Sequence, residues 1–294
     1  FARLAAPLTL AVAYGEVAPR IFYLDSFFYR PDEAPQAQVE TEELYHRQPQ
    51  LLADQIAGLL PQTPGKPEVY GLVLGGTAHE DVFLSAVEKV SEILAETYGA
   101  AGRILKLANS SVDPFRLPMA SRRNLSAALL ALGAAKGPED LAFLYLASHG
   151  ADDILALTFW EAATRDLTAV EFAGMLDEAG LGTAVIVVSA CYSGSFIDDL
   201  RAADRLVITA ARADRPSFGC ANGREWTEFG ESFFVKGLSQ TKDPIAAFEI
   251  ARSDIWWKEL KGLRAGSYPQ IDAGAEMASR LAPFVTRGLA TPAS

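Results

Sequence analysis

The fold is decided by two apolar runs and the residues that follow them, Leu141-Ala-Phe-Leu-Tyr-Leu-Ala-Ser-His-Gly150 and Ala184-Val-Ile-Val-Val-Ser-Ala-Cys-Tyr-Ser-Gly194. Short apolar runs that are rich in β-branched and aromatic residues are typical of buried strands in a parallel sheet. Each run ends in polar residues and a glycine, which predicts a turn. Ligands bind outside the carboxyl ends of the strands in open parallel sheets. The two runs therefore predict that an imidazole and a thiol, from His149 and Cys191, lie at one edge of one sheet.

Strand and helix patterns alternate on both sides of these runs. Further strands are predicted at 69–74, 103–107 and 206–211, and helices are predicted to begin at Asp81, Ser121, Thr168 and Asp243. Strands that alternate with helices at this spacing indicate βαβ units. We therefore predict an α/β fold with a mostly parallel sheet of about six strands, flanked by helices on both faces.

The composition limits the classes of function. The chain has 294 residues, of which 50% are hydrophobic, so it is long enough to bury a sizeable core. A net charge of −11 argues against nucleic acid or an anionic membrane surface as the main partner. Two cysteines and three scattered histidines without HExxH spacing give no disulfide framework and no familiar metal motif. We expect no metal site.

The first 67 residues differ from the rest of the chain. Prolines interrupt them repeatedly, a helical pattern covers residues 39–60, and a proline-rich linker follows at 61–67. We predict an N-terminal extension at 1–67 and a single domain at 68–294. The aromatic segment from Phe22 to Tyr29 is too apolar for a free tail, and we expect it to dock on the core or to occupy the cleft. Because the chain begins at Phe1 rather than Met, we expect a processed or trimmed product.

The predicted position of Cys191 suits a nucleophile. It follows a strand and precedes small residues that open a helix, and such a turn exposes backbone N–H groups. The amides of Gly150 and Cys191 are candidates for an oxyanion hole. The competing interpretation is an inert buried cysteine and a core histidine. The presence of both residues at polar strand ends favours the nucleophile with its histidine.

Other candidates have less support. Cys220 is a core residue, a disulfide partner of Cys191 or the nucleophile itself, and its place in a loop after Phe218-Gly219 favours the first. His79 follows the first predicted strand and lies either in the cleft or on the surface. The sequence around Ser193 lacks the G-x-S-x-G pattern, which disfavours a serine hydrolase.

The two strand ends resemble the His-Gly and Ala-Cys blocks of the caspase-like clan of cysteine peptidases. Within that clan the chain is most similar to the legumain family, peptidase family C13, and to its bacterial members. Similar blocks lie at 207–220, 227–230 and 267–271, and the resemblance covers about residues 69–282.

The resemblance implies a caspase-like sandwich in which His149 and Cys191 form a catalytic dyad. It also implies that the amides of Gly150 and Cys191 bind the oxyanion, that the partner is a peptide or protein substrate, and that no metal or organic cofactor is needed. By analogy with the bacterial members, we expect an extracytoplasmic location and a membrane anchor outside the given chain.

The chain departs from the family at the positions that bind the substrate. Legumains specific for Asn carry an Arg-His pair after the first strand and a Glu two residues before the Cys, whereas this chain has Ala78-His79 and Ser189. Legumains commonly carry an Asp directly before the catalytic His, and this chain has Ser148 at that position. We assign His79, Ser189 and Ser148 to substrate binding, without strict specificity for Asn and without an expectation of peptide ligation.

Four acidic residues are candidates to bind a basic side chain of the substrate. The favoured interpretation is that each is a charged loop residue exposed to solvent. They are Asp152, Asp153, Glu228 and Glu231.

The sequence as a whole predicts a cysteine endopeptidase. The alternatives are a transamidase or peptide ligase that uses the same dyad, and a catalytically silent scaffold or binding protein that keeps the fold.

Overall fold

The computed structural model describes residues 40–159, 162 and 164–285. Its centre is a six-stranded sheet with the order β2-β1-β3-β7-β8-β9, and a three-stranded antiparallel sheet, β4-β5-β6, follows β3. The strands are β1 (Val69–Gly75), β2 (Ile104–Ala108), β3 (Leu141–Ala147), β4 (Gly150–Ala151), β5 (Ile154–Leu155), β6 (Leu167–Thr168), β7 (Ala184–Ser189), β8 (Arg205–Thr209) and β9 (Gln270–Ala273). In the large sheet only the β8–β9 pair is antiparallel.

The central strands are apolar because both faces of the sheet are covered. Every residue of β1, β3 and β7 is buried. The helices are α1 (Thr41–Ala57), α2 (Asp81–Tyr98), α3 (Arg122–Ala135), α4 (Ala169–Glu178), α5 (Ile197–Leu200), α6 (Glu228–Gly230), α7 (Pro244–Lys261) and α8 (Met277–Val285), with a 3₁₀ turn at Ser193–Phe196 and a π-helix at Glu231–Gly237.

The helices form two layers around the sheet. One core cluster joins the sheet to α2, the π-helix, α7 and α8. A second cluster joins it to α1, α3, α4 and α5. The predicted α/β sandwich, with a mostly parallel six-stranded sheet and helices on both faces, is confirmed.

The predicted helix starts are also found. Ser121 accepts a hydrogen bond from the Asn124 amide, and Thr168 forms a full capping box with Glu171. The helical pattern at 39–60 forms α1, where the Gln55 side chain bonds to the backbone of Lys106 in β2. The domain boundary at residue 67 stays a prediction, and the aromatic segment 22–29 lies outside the described residues.

Two segments differ from the sequence-based expectations. β8 ends at Thr209 rather than Ala211, since the Ala211 amide turns to donate to the Ser193 hydroxyl. The residues after Cys191 form a 3₁₀ turn before the short helix α5. Within the described part of the chain, no helix is both long and apolar enough to cross a bilayer.

Candidate active site

Three strands end side by side and bring the predicted site residues to one rim. Gly75 of β1 pairs with Ala147 of β3, and Ala147 pairs with Ser189 of β7. Beyond the strands, the Ser148 amide still donates to the Ser189 carbonyl at 3.3 Å. This register places the segments that carry His149 and Cys191 next to each other.

Gly150 packs directly on the nucleophile segment. A Cβ atom at this position would overlap the carbonyl oxygen of Cys191 and lie 2.9 Å from the Ala190 side chain. Close approach of two backbones is a reason for glycine that does not depend on a positive φ angle. Glycine at 150 therefore sets the spacing between the His-Gly and Ala-Cys segments.

The Cys191 thiol faces the loop that follows β8. Its Sγ accepts a hydrogen bond from the Ser217 amide at 3.2 Å and lies 3.5 Å from the Ser217 carbonyl oxygen. The next residue, Tyr192, has a φ of 57°, and its amide donates to the Arg215 carbonyl at 2.8 Å. Two backbone contacts thus hold the turn against residues 215–217 and leave the thiol partly exposed.

The His149 imidazole contacts the start of α2. Its Nε2 lies 3.1 Å from Oε2 of Glu80, and its ring meets the Phe83 ring edge to face, with centroids 5.4 Å apart. Among the described residues, no hydrogen bond joins the imidazole to Sγ of Cys191. The structure therefore shows each side chain held by its own neighbours at a shared rim.

A comparison with known protein families finds a match for the segment that forms this rim. A model of the Peptidase C13 family matches residues 131–264, which include both His149 and Cys191. The segment that carries both residues belongs to the peptidase C13 family. This is a family of cysteine peptidases. A comparison with curated proteins finds no match.

Two of the three positions predicted to bind substrate, Ser148 and Ser189, lie below the rim. Ser148 is fully buried, and its hydroxyl donates to the Ala156 carbonyl at 2.6 Å. Ser189 is also buried, with Oγ 3.1 Å from the Thr227 hydroxyl. Burial raises the pKa of the neighbouring Tyr145 to about 12, so this phenol stays neutral. The assignment of both serines to substrate binding stays a prediction.

The third predicted position, His79, lies at the rim and is half-buried. Burial lowers its pKa, the Glu80 carboxylate opposes that shift, and the charge of His149 adds to it. His79 and His149 therefore share one electrostatic environment, in which Glu80 is the counter-charge to both rings.

Cys220 has a different environment from Cys191. Both thiols are free, and Cys220 packs partly buried against the core cluster that contains α2 and α7. Burial raises the pKa of Cys220 to about 12, with further contributions from the charges of Cys191 and Glu80. This thiol is therefore protonated at neutral pH, as a structural cysteine would be.

The four acidic candidates divide into two pairs. Glu228 forms a bidentate ion pair with Arg264 at 2.8 Å, and Glu231 pairs with Lys258 at 2.6 Å. The tip of the β4–β5 hairpin carries Asp152 and Asp153. Burial and the charges of neighbouring aspartates raise the pKa of Asp153. The two glutamates are already neutralised by partners in the chain.

Sequence reasoning missed Glu80 and Ser217 as residues of this site. Glu80 was visible as an acidic residue at the carboxyl end of the first strand, beside the strand that carries His149. Ser217 had no local signal, since it meets Cys191 only through the path of the loop after β8. Within the described ranges, no group of three or more His, Cys, Asp or Glu side chains is arranged to hold a metal ion.

Proposed function

We propose that the chain is a cysteine endopeptidase in which Cys191 is the nucleophile and His149 is the general acid and base. The observation that supports this most is the shared rim, where glycine at 150 lets the His149 segment lie against the Cys191 backbone. Family membership supports the same chemistry. A peptide substrate would lie across this rim.

The proposed reaction begins when the His149 imidazole takes the proton of the Cys191 thiol and Sγ attacks the carbonyl carbon of the scissile bond. The carbonyl π electrons move to oxygen, and the amides of Gly150 and Cys191 stabilise that oxyanion. As the oxyanion collapses, the C–N bond breaks and the imidazolium of His149 gives its proton to the leaving amine. The product of this step is a thioester.

Water then resolves the thioester. The now neutral imidazole of His149 takes a proton from the attacking water, whose oxygen bonds to the acyl carbon. Collapse of the second tetrahedral intermediate breaks the C–S bond, releases the carboxylic acid and restores the thiol and imidazole pair. Apart from the substrate and water, every reacting group in these steps belongs to the chain.

Cleavage of a mixed peptide library, with products identified by mass spectrometry, tests this proposal. We expect cuts by the wild type that disappear in Cys191→Ala and persist in Cys220→Ala, which is the matched control for loss of a cysteine. Cuts that persist in Cys191→Ala would refute the assigned nucleophile. Products joined to an added amine instead of water would support the transamidase alternative. The absence of any Cys191-dependent product would support the silent scaffold.

A further inference from the structure

We propose that Glu80 is a positioning residue that orients the His149 imidazole. This inference rests on the proposed function, and it assigns a role to a residue that the sequence pattern did not single out. The contact joins Oε2 of Glu80 and Nε2 of His149 at 3.1 Å. The Glu80 side chain is only 13% exposed, whereas that of His149 is 33% exposed. The carboxylate is thus better shielded from solvent than the imidazole that it contacts.

The Glu80 carboxylate has no competing role in the helix it precedes. Glu80 is the N-cap residue of α2, yet its side chain makes no capping hydrogen bond. Its Oε2 is buried, and no described residue donates a hydrogen bond of good geometry to it. A buried carboxylate oxygen without such a donor is costly unless an opposite charge lies nearby. The His149 imidazolium supplies that charge.

The start of α2 is held rigidly enough to act as a support. The Asp81 carboxylate accepts a hydrogen bond from the Gly223 amide at 3.0 Å, and the Asp81 amide donates to the Asn222 side chain. Two residues further, Phe83 packs edge to face against the His149 ring. α2 therefore offers a charge on one side of the imidazole and an aromatic wall on another.

This arrangement separates the roles of the two ring nitrogens. Nε2 lies beside the Glu80 carboxylate, so we assign proton transfer with the substrate to Nδ1. The carboxylate holds the ring by charge and not by a hydrogen bond of good geometry. A neighbour that favours one tautomer of a catalytic histidine influences which nitrogen reacts.

The titratable groups near this ring differ in charge. Glu80 is in contact with it, and His79 interacts with both Glu80 and His149. Cys220 interacts electrostatically with Glu80 and Cys191. Within the described part of the chain, Glu80 is the acidic side chain that forms an ion pair with the ring, so its removal takes negative charge away from His149.

NMR spectra of the histidine rings in the full chain test the contact without any need for turnover. The chain has three histidines, and His149→Gln identifies the signal of interest. In Glu80→Gln we expect the ring signals of His149 to move from their wild-type positions, because the carboxylate beside Nε2 is replaced by a neutral amide. The ring signals of His46, on an exposed face of α1, should not move. Glu92→Gln, an equal charge change on the exposed side of α2, should leave the His149 signals unchanged. Unaltered His149 signals in Glu80→Gln would overturn the proposal.

Steady-state kinetics on a cleaved peptide test the positioning part. We expect kcat of Glu80→Gln to fall about tenfold to a hundredfold while KM changes little, because the loss lies in proton transfer. Glu80→Asp keeps the charge, so its kcat should stay closer to that of the wild type. If Glu80→Gln fails to fold, Glu80→Ala replaces it in both assays, and wild-type His149 signals with wild-type kcat in that variant would overturn the proposal.

The two assays separate this inference from the proposed function. Moved His149 ring signals in Glu80→Gln, with no cleavage by the wild type, would support the Glu80–His149 contact and refute the peptidase. Cleavage with equal kcat and equal pH dependence in wild type and Glu80→Gln would support the peptidase and refute the role of Glu80.

Discussion

The two ends of the parallel sheet both carry polar side chains, but these side chains differ in how many hydrogen bonds they make. At the amino end, Arg103, Glu68 and Asp140 each stand immediately before a strand, in front of β2, β1 and β3 respectively. At the carboxyl end, His149 and Cys191 follow β3 and β7. Both ends therefore collect polar side chains from adjacent strands, but the carboxylates of the amino end have more hydrogen-bond partners than the side chains of the carboxyl end.

At the amino end, the two carboxylates are engaged in one hydrogen-bond network. Asp140 accepts one amide hydrogen bond on each carboxylate oxygen, from Glu68 and Gly137, both at 2.7 Å. Glu68 accepts from the Thr63 amide at 2.9 Å and from Arg103 at 2.8 Å. Each carboxylate is engaged and nearly inaccessible, and such a network contributes to stability rather than to chemistry.

At the carboxyl end, the side chains of Cys191 and His149 have few partners. Among the described residues, the Cys191 thiol has hydrogen bonds only with Ser217, and the His149 ring has one ionic contact and one aromatic contact. Both side chains remain partly exposed at the rim. The difference shows why the same sheet can be rigid at one end and reactive at the other, and the following substitutions test that contrast.

The largest effect is expected from Gly150→Ala. The added methyl would overlap the Cys191 carbonyl and push apart the two segments that form the proposed oxyanion hole. Loss of one oxyanion donor lowers kcat by about a hundredfold or more. The control is Gly174→Ala, at an exposed position of α4 with open space around it. An active Gly150→Ala enzyme would show that the spacing of these segments does not matter.

At the opposite end, Asp140→Asn should lower stability and leave the site intact. The amide nitrogen of Asn cannot accept the second hydrogen bond, so one buried N–H would lose its partner. We expect a loss of about 2 kcal/mol in the free energy of unfolding, measured by denaturant titration, with kcat unchanged. Glu178→Gln, on an exposed part of α4, is the matched control. A large fall in kcat with normal stability would contradict the separation of the two ends.

Much of this contrast could be predicted from the sequence, since strand ends are visible in it. The runs ending at His149 and Cys191 gave the central strands, because apolar segments of that length need burial on both faces. The capping box at Thr168 was equally readable, since its two side chains lie within one turn. These features depend on neighbours along the chain.

The remainder depends on contacts between distant segments. Glu80 and His149 are 69 positions apart, and no local periodicity connects them. β9 is half-exposed and short, so its Gln-Ile-Asp-Ala sequence lacks the apolar run of an inner strand. The strands β4, β5 and β6 have two residues each, too few to produce an alternating pattern.

A smaller, pH-dependent effect is expected for Glu68→Gln. Burial acts to raise the pKa of Glu68, but the Thr63 amide, Lys66 and Arg103 outweigh it and lower the pKa. A carboxyl whose pKa is lower in the folded state stabilises the fold above its unfolded pKa and loses that contribution as pH falls through the folded value. We expect the wild type to exceed the variant by about 1 kcal/mol at pH 7, with the gap closing below about pH 4.5. A gap that is constant with pH would mean that packing, not charge, dominates.

The smallest effect on activity is expected at Cys220, and it decides between the two thiols. Its pKa, raised to about 12 by burial, leaves almost no thiolate at neutral pH, so a small alkylating agent should modify Cys191 and spare Cys220. Cys220→Ala should keep kcat within about twofold and cost about 1 kcal/mol of packing. Peptide mapping of the alkylated wild type and both single variants measures this directly. Preferential labelling of Cys220, or loss of cleavage in Cys220→Ala, would transfer the role of nucleophile to the loop and remove the reactive centre from the end of β7.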